Sequence, residues 1–124
     1  MLIEEITNII KDFNYTIEVV NDLAYLQVDS NNVYEILLLL KNNSFEVLID
    51  YFAMPAVDNH AYTVCYHLLN YKNNRNICLY TNTENSIQSI IDIFPNANWC
   101  EREIYEMYNI NFIGHNNLQK LFTE

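Results

Sequence analysis

One glycine, Gly114, serves the whole 124-residue chain, and only two prolines, Pro55 and Pro95, accompany it. A chain so short of both has nothing resembling a flexible linker and must make its turns with another residue. Asparagine takes that place. Asn31-Asn32, Asn42-Asn43, Asn73-Asn74 and Asn116-Asn117 all fall where periodic segments end. Asn tolerates the left-handed region and bonds its own backbone, so these pairs are expected to be turns and caps. The same scarcity excludes a Walker loop or a G-x-G-x-x-G turn, and no G-x-S-x-G is present. The length is that of one domain, residues 1–124, and a hydrophobic content of 51% can fill its core.

Hydrophobic periodicity switches along the chain between the helical and the strand repeat. Residues 2–13 set Ile3, Ile6, Ile10 and Phe13 on one helical stripe. Residues 15–20 and 24–28 are β-branched or aromatic, with Asn21-Asp22 between them, which predicts a hairpin. A second helix is expected from Asn32, capped by its side chain with Glu35 completing a capping box. It buries Val33, Ile36, Leu37 and Leu40 and ends at Asn42-Asn43. Three strands follow. Residues 45–51 place Phe45, Val47, Ile49 and Tyr51 on one face. Residues 61–69 place Tyr62, Val64, Tyr66 and Leu68 on one face and Thr63, Cys65 and His67 on the other, and residues 75–81 form the third strand. Thr83 is then expected to cap a helix carrying Ile87, Ile90, Ile91 and Phe94, which Pro95 stops. A last helix is expected from an Asn98 cap, with Glu101 at the capping-box position, to about Tyr108. The order α-β-β-α-β-β-β-α-α predicts an α+β fold, two layers with helices packed on a mixed, mostly antiparallel sheet.

Six Lys and Arg against sixteen Asp and Glu leave a formal charge of -10. That balance excludes a phosphate-backbone binder and a polybasic membrane anchor, because both depend on clustered cations. It leaves room for an acidic chain that docks on a basic partner. The longest apolar run, residues 36–40, is far short of the roughly 20 residues of a membrane span. Met1 runs straight into Glu4 and Glu5, so no leader is expected. The cysteines, Cys65, Cys78 and Cys100, are odd in number and include no C-x-x-C. A reducing, cytoplasmic setting without a disulfide framework is expected, with any membrane contact made through partners.

Candidate chemistry is sparse. Cys65 and His67 share a strand face with His60 nearby, but zinc wants four such ligands and the set is incomplete. An ordinary sheet face is the simpler reading. Cys100 stands beside Glu101 and Glu103, an electronegative setting that raises a thiol pKa and disfavours the thiolate. A thiol enzyme would lose its activity in Cys100→Ser, and no such activity is expected. The acidic residues are otherwise scattered, as a solvated surface would be.

The exception is residues 96–108, which hold the only Trp and one of two arginines. On a helix, Cys100, Ile104, Met107 and Tyr108 form an apolar stripe, and Glu101, Arg102, Glu103 and Glu106 crowd the rest, with Arg102 and Glu106 one turn apart. This is either a capped amphipathic helix with one ion pair or a charged docking face around an Arg flanked by carboxylates.

Continued through Asn109, Ile110, Asn111, Phe112, Ile113, Gly114, His115 and Leu118, the segment resembles the signature of the 30-kDa-subunit family of respiratory complex I, approximately A-N-W-x-E-R-E-x-x-D-M-F-G-I-x-F-x-G-H-P-D-L-R. Ala97, Asn98, Trp99, Glu101, Arg102, Glu103, Met107, Ile110, Phe112, Gly114, His115 and Leu118 match outright, and Glu106 and Tyr108 replace Asp and Phe conservatively. Upstream, Ser89, Ile90, Asp92, Ile93, Phe94 and Pro95 resemble the family's S-[IV]-x-D-[IL]-[WF]-P. The first 44 residues fit only in outline. Three departures stand out: Asn109 replaces Gly, Asn116-Asn117 replaces Pro-Asp, and Gln119-Lys120 replaces an arginine pair. The chain stops at Glu124 without the C-terminal arm of longer members, which makes it more similar to the corresponding small subunit of membrane-bound, energy-converting NiFe hydrogenases.

The resemblance implies a non-catalytic accessory subunit of a peripheral arm, at the inner face of the cell membrane through its partners. Those partners are a large subunit (quinone-site or NiFe hydrogenase-type) and a small Fe–S subunit. No cofactor is expected on this chain, while the parent complex is expected to carry Fe–S clusters and, in the hydrogenase branch, NiFe. The residues implied in assembly are Trp99, Glu101, Arg102, Glu103, Glu106, Phe112, Gly114 and His115. The role expected of them is a buried Trp with Arg102 held in a cage of carboxylates. The competing reading is a free-standing acidic binding module or inhibitor.

Overall fold

The computed structural model describes residues 2–56 and 61–115. Helix α1 (Leu2–Ile9) precedes strands β1 (Tyr15–Val20) and β2 (Leu23–Val28). A turn of 3-10 helix (Ser30–Asn32) leads into α2 (Val33–Asn42), then β3 (Val47–Pro55), β4 (Tyr62–Asn70), β5 (Arg75–Thr83) and β6 (Ser86–Gln88). Helix α3 (Ala97–Tyr108) and β7 (Asn111–Ile113) complete the described order. Five strands form one sheet in the order β1-β2-β5-β4-β3, antiparallel except for the β2–β5 pair. A parallel pair, β6–β7, stands apart. This is the expected α+β fold with a mixed, mostly antiparallel sheet.

Alternation along the central strands defines the layers. Ala24, Leu26 and Val28 of β2, Val64, Tyr66 and Leu68 of β4, and Ile77 and Leu79 of β5 are buried in one core with Ile6, Ile10, Ile36, Leu37 and Leu40. The opposite face carries Tyr25, Phe52 and Met54, all exposed among the described residues. The expected alternation of β4 is therefore observed.

The β1–β2 hairpin has the predicted two-residue turn. Asn21 and Asp22 take φ of 52° and 67°, the left-handed pair whose twist matches the flanking strands. Asn74 and Asn109 also lie at positive φ, in the punctuating role expected of asparagine.

Several local expectations are overturned. In α1 the buried row is Leu2, Ile6 and Ile10, while Ile3 is exposed. Asp29, through the 3-10 turn, receives the Asn31 N–H, and Asn32 makes no side-chain cap. In β3 the ladder slips between Leu48 and Asp50, so that Ile49 is an extra residue without a partner. The bulge reverses the alternation: Phe45, Leu48 and Tyr51 are buried, whereas Val47 and Ile49 face out. Asp50 braces it by accepting the Tyr51 N–H at 2.9 Å.

The largest correction concerns residues 83–94, which do not form a helix. Thr83 ends β5 and donates its hydroxyl to the Ser86 carbonyl, and β6 pairs with β7. The Ser89 N–H goes to Ile113 O at 2.9 Å and the Ile90 N–H to the Glu101 carboxylate at 2.9 Å, so donors that a helix would need are taken by remote acceptors. Only one turn remains, with Phe94 N–H on Ile90 O at 2.9 Å, and Lys41 of α2 holds it by donating to Ile93 O at 2.6 Å. Ile87, Ile90, Ile93 and Phe94 are still buried. Apolar content was legible; period was not.

Asn109 closes α3 in the left-handed region, φ 61° and ψ 28°, with its N–H on Tyr105 O at 2.8 Å. This fits the glycine that the family signature has there. Asn109→Gly should raise stability by roughly 0.5 kcal/mol, and Asn109→Val should cost about 1–2 kcal/mol, the range the left-handed region imposes on ordinary L residues. Urea midpoints at constant slope measure both.

Candidate docking site

Helix α3 turns a carboxylate, not an apolar side chain, to the middle of the core. Glu101 is fully buried. Its Oε2 accepts the Tyr51 hydroxyl at 2.9 Å and the Ile90 N–H at 2.9 Å, and its Oε1 accepts the Ser89 hydroxyl at 2.6 Å. His115 Nε2 stands 3.9 Å from Oε1. Burial pushes the Glu101 carboxyl above its ordinary value, and the bonds from Ser89, Ile90 and Tyr51 act against that push. Burial likewise raises the Tyr51 phenol well above its usual range.

This geometry corrects the expected capping box. Asn96, not Asn98, stands at the helix start and makes no side-chain cap; its amide donates to Leu48 O at 3.1 Å. Glu101, three residues beyond Asn98, reaches across to β3 and the segment before the helix. The buried row of α3 is Ala97, Glu101 and Ile104, and Met107, expected in the apolar stripe, is 70% exposed.

It also corrects the expected cage. Trp99 is not buried but 59% exposed. Arg102 makes no ion pair among the described residues, and its Nε is buried without a hydrogen-bond partner. The enclosed charge is a carboxylate ringed by donors, and Arg102 lines the groove between α3 and β3 instead. Burying Glu101 uses the side of α3 toward the sheet, and Trp99, two residues earlier, is thereby turned outward.

The expected assembly residues thus fall into two sets. Glu101, Phe112 and His115 are internal: Phe112 meets Tyr51 edge-on at 6.3 Å and 87°, and Tyr51 stacks on Tyr66 at 4.5 Å. Gly114 supports the turn before His115 with φ 93°, a backbone that L residues rarely adopt. Trp99, Arg102, Glu103 and Glu106 instead line a groove of about 590 Å³ between α3 and β3, floored by Tyr51, Phe52 and Ala53 and flanked by Met107. Strand β3 is an edge of the sheet, so the groove runs along its margin.

Tyr51 is not marked as a functional residue by the sequence: its place on the apolar face was legible, but nothing local signals that its hydroxyl reaches Glu101, 50 residues away. Ser89 was within reach, since it opens the S-[IV]-x-D-[IL]-[WF]-P stretch. Cys65 and His67 lie on the outer sheet face as expected, and His60 lies outside the described residues. Among the described residues no group of three or more His, Cys, Asp or Glu is arranged to hold a metal ion. Burial and the Glu103 charge push the Cys100 thiol upward. No described helix is long and apolar enough to cross a membrane.

Residues 26–124 match the family described as respiratory-chain NADH dehydrogenase, 30 Kd subunit. The chain belongs to that family. The C subunit of NADH-quinone oxidoreductase from Xanthobacter autotrophicus is 36% identical over 80% of this chain and 50% of its own length. The Rhodopseudomonas palustris protein of the same name is 32% identical over 80% of this chain and 52% of its own. The Nitrosospira multiformis relative, named as a C/D subunit, is 35% identical over 82% of this chain and 19% of its own. The chain spans about half the length of the C-type relatives it matches. Among solved structures, a chain of an archaeal membrane-bound sulfane sulfur reductase superposes with a TM-score of 0.87 at 16% identity, covering 98% of this chain and 74% of that one. A trypsin-resistant fragment of Nqo5 gives a TM-score of 0.77 at 21% identity, covering 94% and 96%. Both likenesses are of fold.

Replacing Glu101 should be costly. Glu101→Ala leaves the Tyr51 hydroxyl, Ser89 hydroxyl and Ile90 N–H buried without their acceptor, and should lower stability by about 2–4 kcal/mol. The pH dependence has a definite sign. Because the native carboxyl binds its proton more tightly than the unfolded chain does, its contribution is fully present below the ordinary value of 4.5 and is lost as pH rises through the native value. Urea titrations across that window should show the loss in wild type and not in Glu101→Gln.

Proposed function

We propose that this chain is a non-catalytic peripheral-arm subunit that supports assembly of a membrane-associated electron-transfer complex, and that it docks through the α3–β3 groove. The observation that carries this is the exposure of Trp99 and Met107 on α3, beside a groove floored by Tyr51, Phe52 and Ala53. Large apolar side chains exposed together beside a pocket are the usual anchors of a protein interface. The unpartnered Nε of Arg102 adds a donor that a partner's carboxylate or carbonyl would satisfy.

Family membership favours a complex of NADH:quinone oxidoreductase type over a NiFe hydrogenase. The relatives that share 32–36% of their residues over most of this chain carry the quinone oxidoreductase name. The Nitrosospira multiformis relative is named as a C/D subunit, and the docking partner of this chain is the large subunit of the complex. A small Fe–S subunit is the second partner, and the parent complex carries the Fe–S clusters while this chain binds none. Its place is the cytoplasmic face of the membrane, reached through those partners.

The test is affinity purification of the tagged chain from gently solubilised membranes. Wild type should bring down the large subunit. Trp99→Ala and Arg102→Glu should weaken that association about tenfold or more, as loss of an interface anchor does. Their thermal melts as isolated chains should stay close to wild type, because neither residue belongs to the buried core. Equal recovery of wild type and both variants overturns the docking role. Recovery of an unrelated basic partner, lost on adding salt, identifies instead an acidic binding module, which the charge of -10 would suit.

A further inference from the structure

The groove opens at the free margin of the sheet rather than on one of its faces. Phe52 belongs to the exposed face of β3, while Tyr51 and Ala53 pack toward the core, yet all three line the same groove as α3. A cavity that touches both faces of one strand lies off its edge, and β3 is the last strand of its sheet. Helix α3 follows that edge. Asn96, at its start, donates to Leu48 O, and Tyr108, at its end, packs on Tyr62, the residue opposite Pro55. Trp99, Glu103 and Met107, each four residues from the next, form a ridge on α3 along the groove.

The ladder decides which backbone groups of β3 face outward. The Ala56 N–H bonds Ala61 O at 3.1 Å, one step beyond the opposed pair Pro55 and Tyr62. Opposed pairs in an antiparallel ladder alternate between bonded and non-bonded. Met54, Phe52 and Asp50 therefore turn their N–H and C=O groups to β4, and Pro55, Ala53 and Tyr51 turn theirs away from it. Much of this edge is already closed by the chain itself. Leu48 O accepts the Asn96 amide at 3.1 Å, the Tyr51 N–H is taken by the Asp50 carboxylate at 2.9 Å, and Pro55 has no N–H. Ala53 is the exception: its N–H and its C=O both project from the edge at the groove it floors, between the Tyr51 and Pro55 carbonyls.

We propose that the groove takes an extended segment of the docking partner, which adds to the five-stranded sheet as a sixth strand paired with β3 at Ala53. This rests on the docking role of the groove and supplies the manner of binding. The segment is extended because outward groups spaced two residues apart are matched only by another strand. It is short, since the bulge at Ile49 and the closed groups of Leu48 and Tyr51 end the pairing there. It is apolar on both faces. One face meets Trp99 and Met107, and the other continues the row of Phe52 and Met54, which are 38% and 43% exposed. It also carries a cation, because Asp50 beside the pairing site and Glu103 on the ridge outnumber Arg102. A second copy of β3 does not meet this description, since it brings another Asp50 and no Lys or Arg.

The test follows amide exchange residue by residue, in the isolated chain and in its complex with the large subunit purified from gently solubilised membranes. In the isolated chain the Phe52 and Met54 N–H groups should exchange slowly and the Ala53 N–H fast. In the complex the Ala53 N–H should slow at least tenfold. Ala53→Pro deletes that outward donor and should lower recovery of the large subunit about tenfold, whereas Ala53→Ser keeps it and should recover as wild type. The thermal melt of isolated Ala53→Pro reads its folding, and wild-type exchange decides the matter if that variant does not fold. Unchanged Ala53 exchange in a complex that Trp99→Ala still weakens overturns the added strand and leaves groove docking standing. Loss of the Trp99 effect as well overturns both. Ala53 protection that rises with the concentration of the isolated chain gives the edge to a second copy and overturns the proposal too.

Discussion

A carboxylate with no exposure to water, Glu101, holds three parts of this fold in register. It receives the Tyr51 hydroxyl from the edge strand, the Ser89 hydroxyl and Ile90 N–H from the segment after β6, and faces His115 after β7. A buried charge is tolerated only when its lone pairs are filled by fixed donors. That requirement works in both directions. The carboxylate needs the three donors, and each donor, buried in its turn, needs the carboxylate. Helix α3 consequently has one rotation about its axis and one height along β3 in which the network closes.

Fixing that rotation decides the outer surface as well. With Ala97, Glu101 and Ile104 turned inward, Trp99 and Met107 are turned outward and Arg102 is left at the groove. The docking face is thus a by-product of internal polar packing. A residue such as Glu101 affects docking only by holding α3 in place, whereas Trp99 would affect it directly.

Legibility in the sequence followed the range of the interaction responsible. The Asn21-Asp22 turn was readable because left-handed preference resides in those two residues. The faces of α2 and β4 were readable because each element has one dominant buried side and no irregularity. The β3 bulge was not, since the extra residue, Ile49, is as apolar and β-branched as any residue expected inside. Residues 83–94 carry apolar spacing compatible with a helix, yet they form β6 and a turn, because the N–H groups of Ser89 and Ile90 are taken by Ile113 and Glu101. The family signature could be recognised without any of this, and it named Glu101, Arg102 and Trp99 without saying which of them faces inward.

By itself the sequence determined the α+β class, the segments able to be buried, the turn positions and the family, since these rest on composition, period and motif within short windows. Only the tertiary structure decided which side of α3 meets the core and which phase β3 adopts after its bulge. Each of those outcomes depends on groups far apart along the chain, 50 residues in the case of Tyr51 and Glu101. Periodicity does not encode a hydrogen bond between such groups; the cost of leaving a buried polar atom unpaired selects the arrangement once the chain is folded.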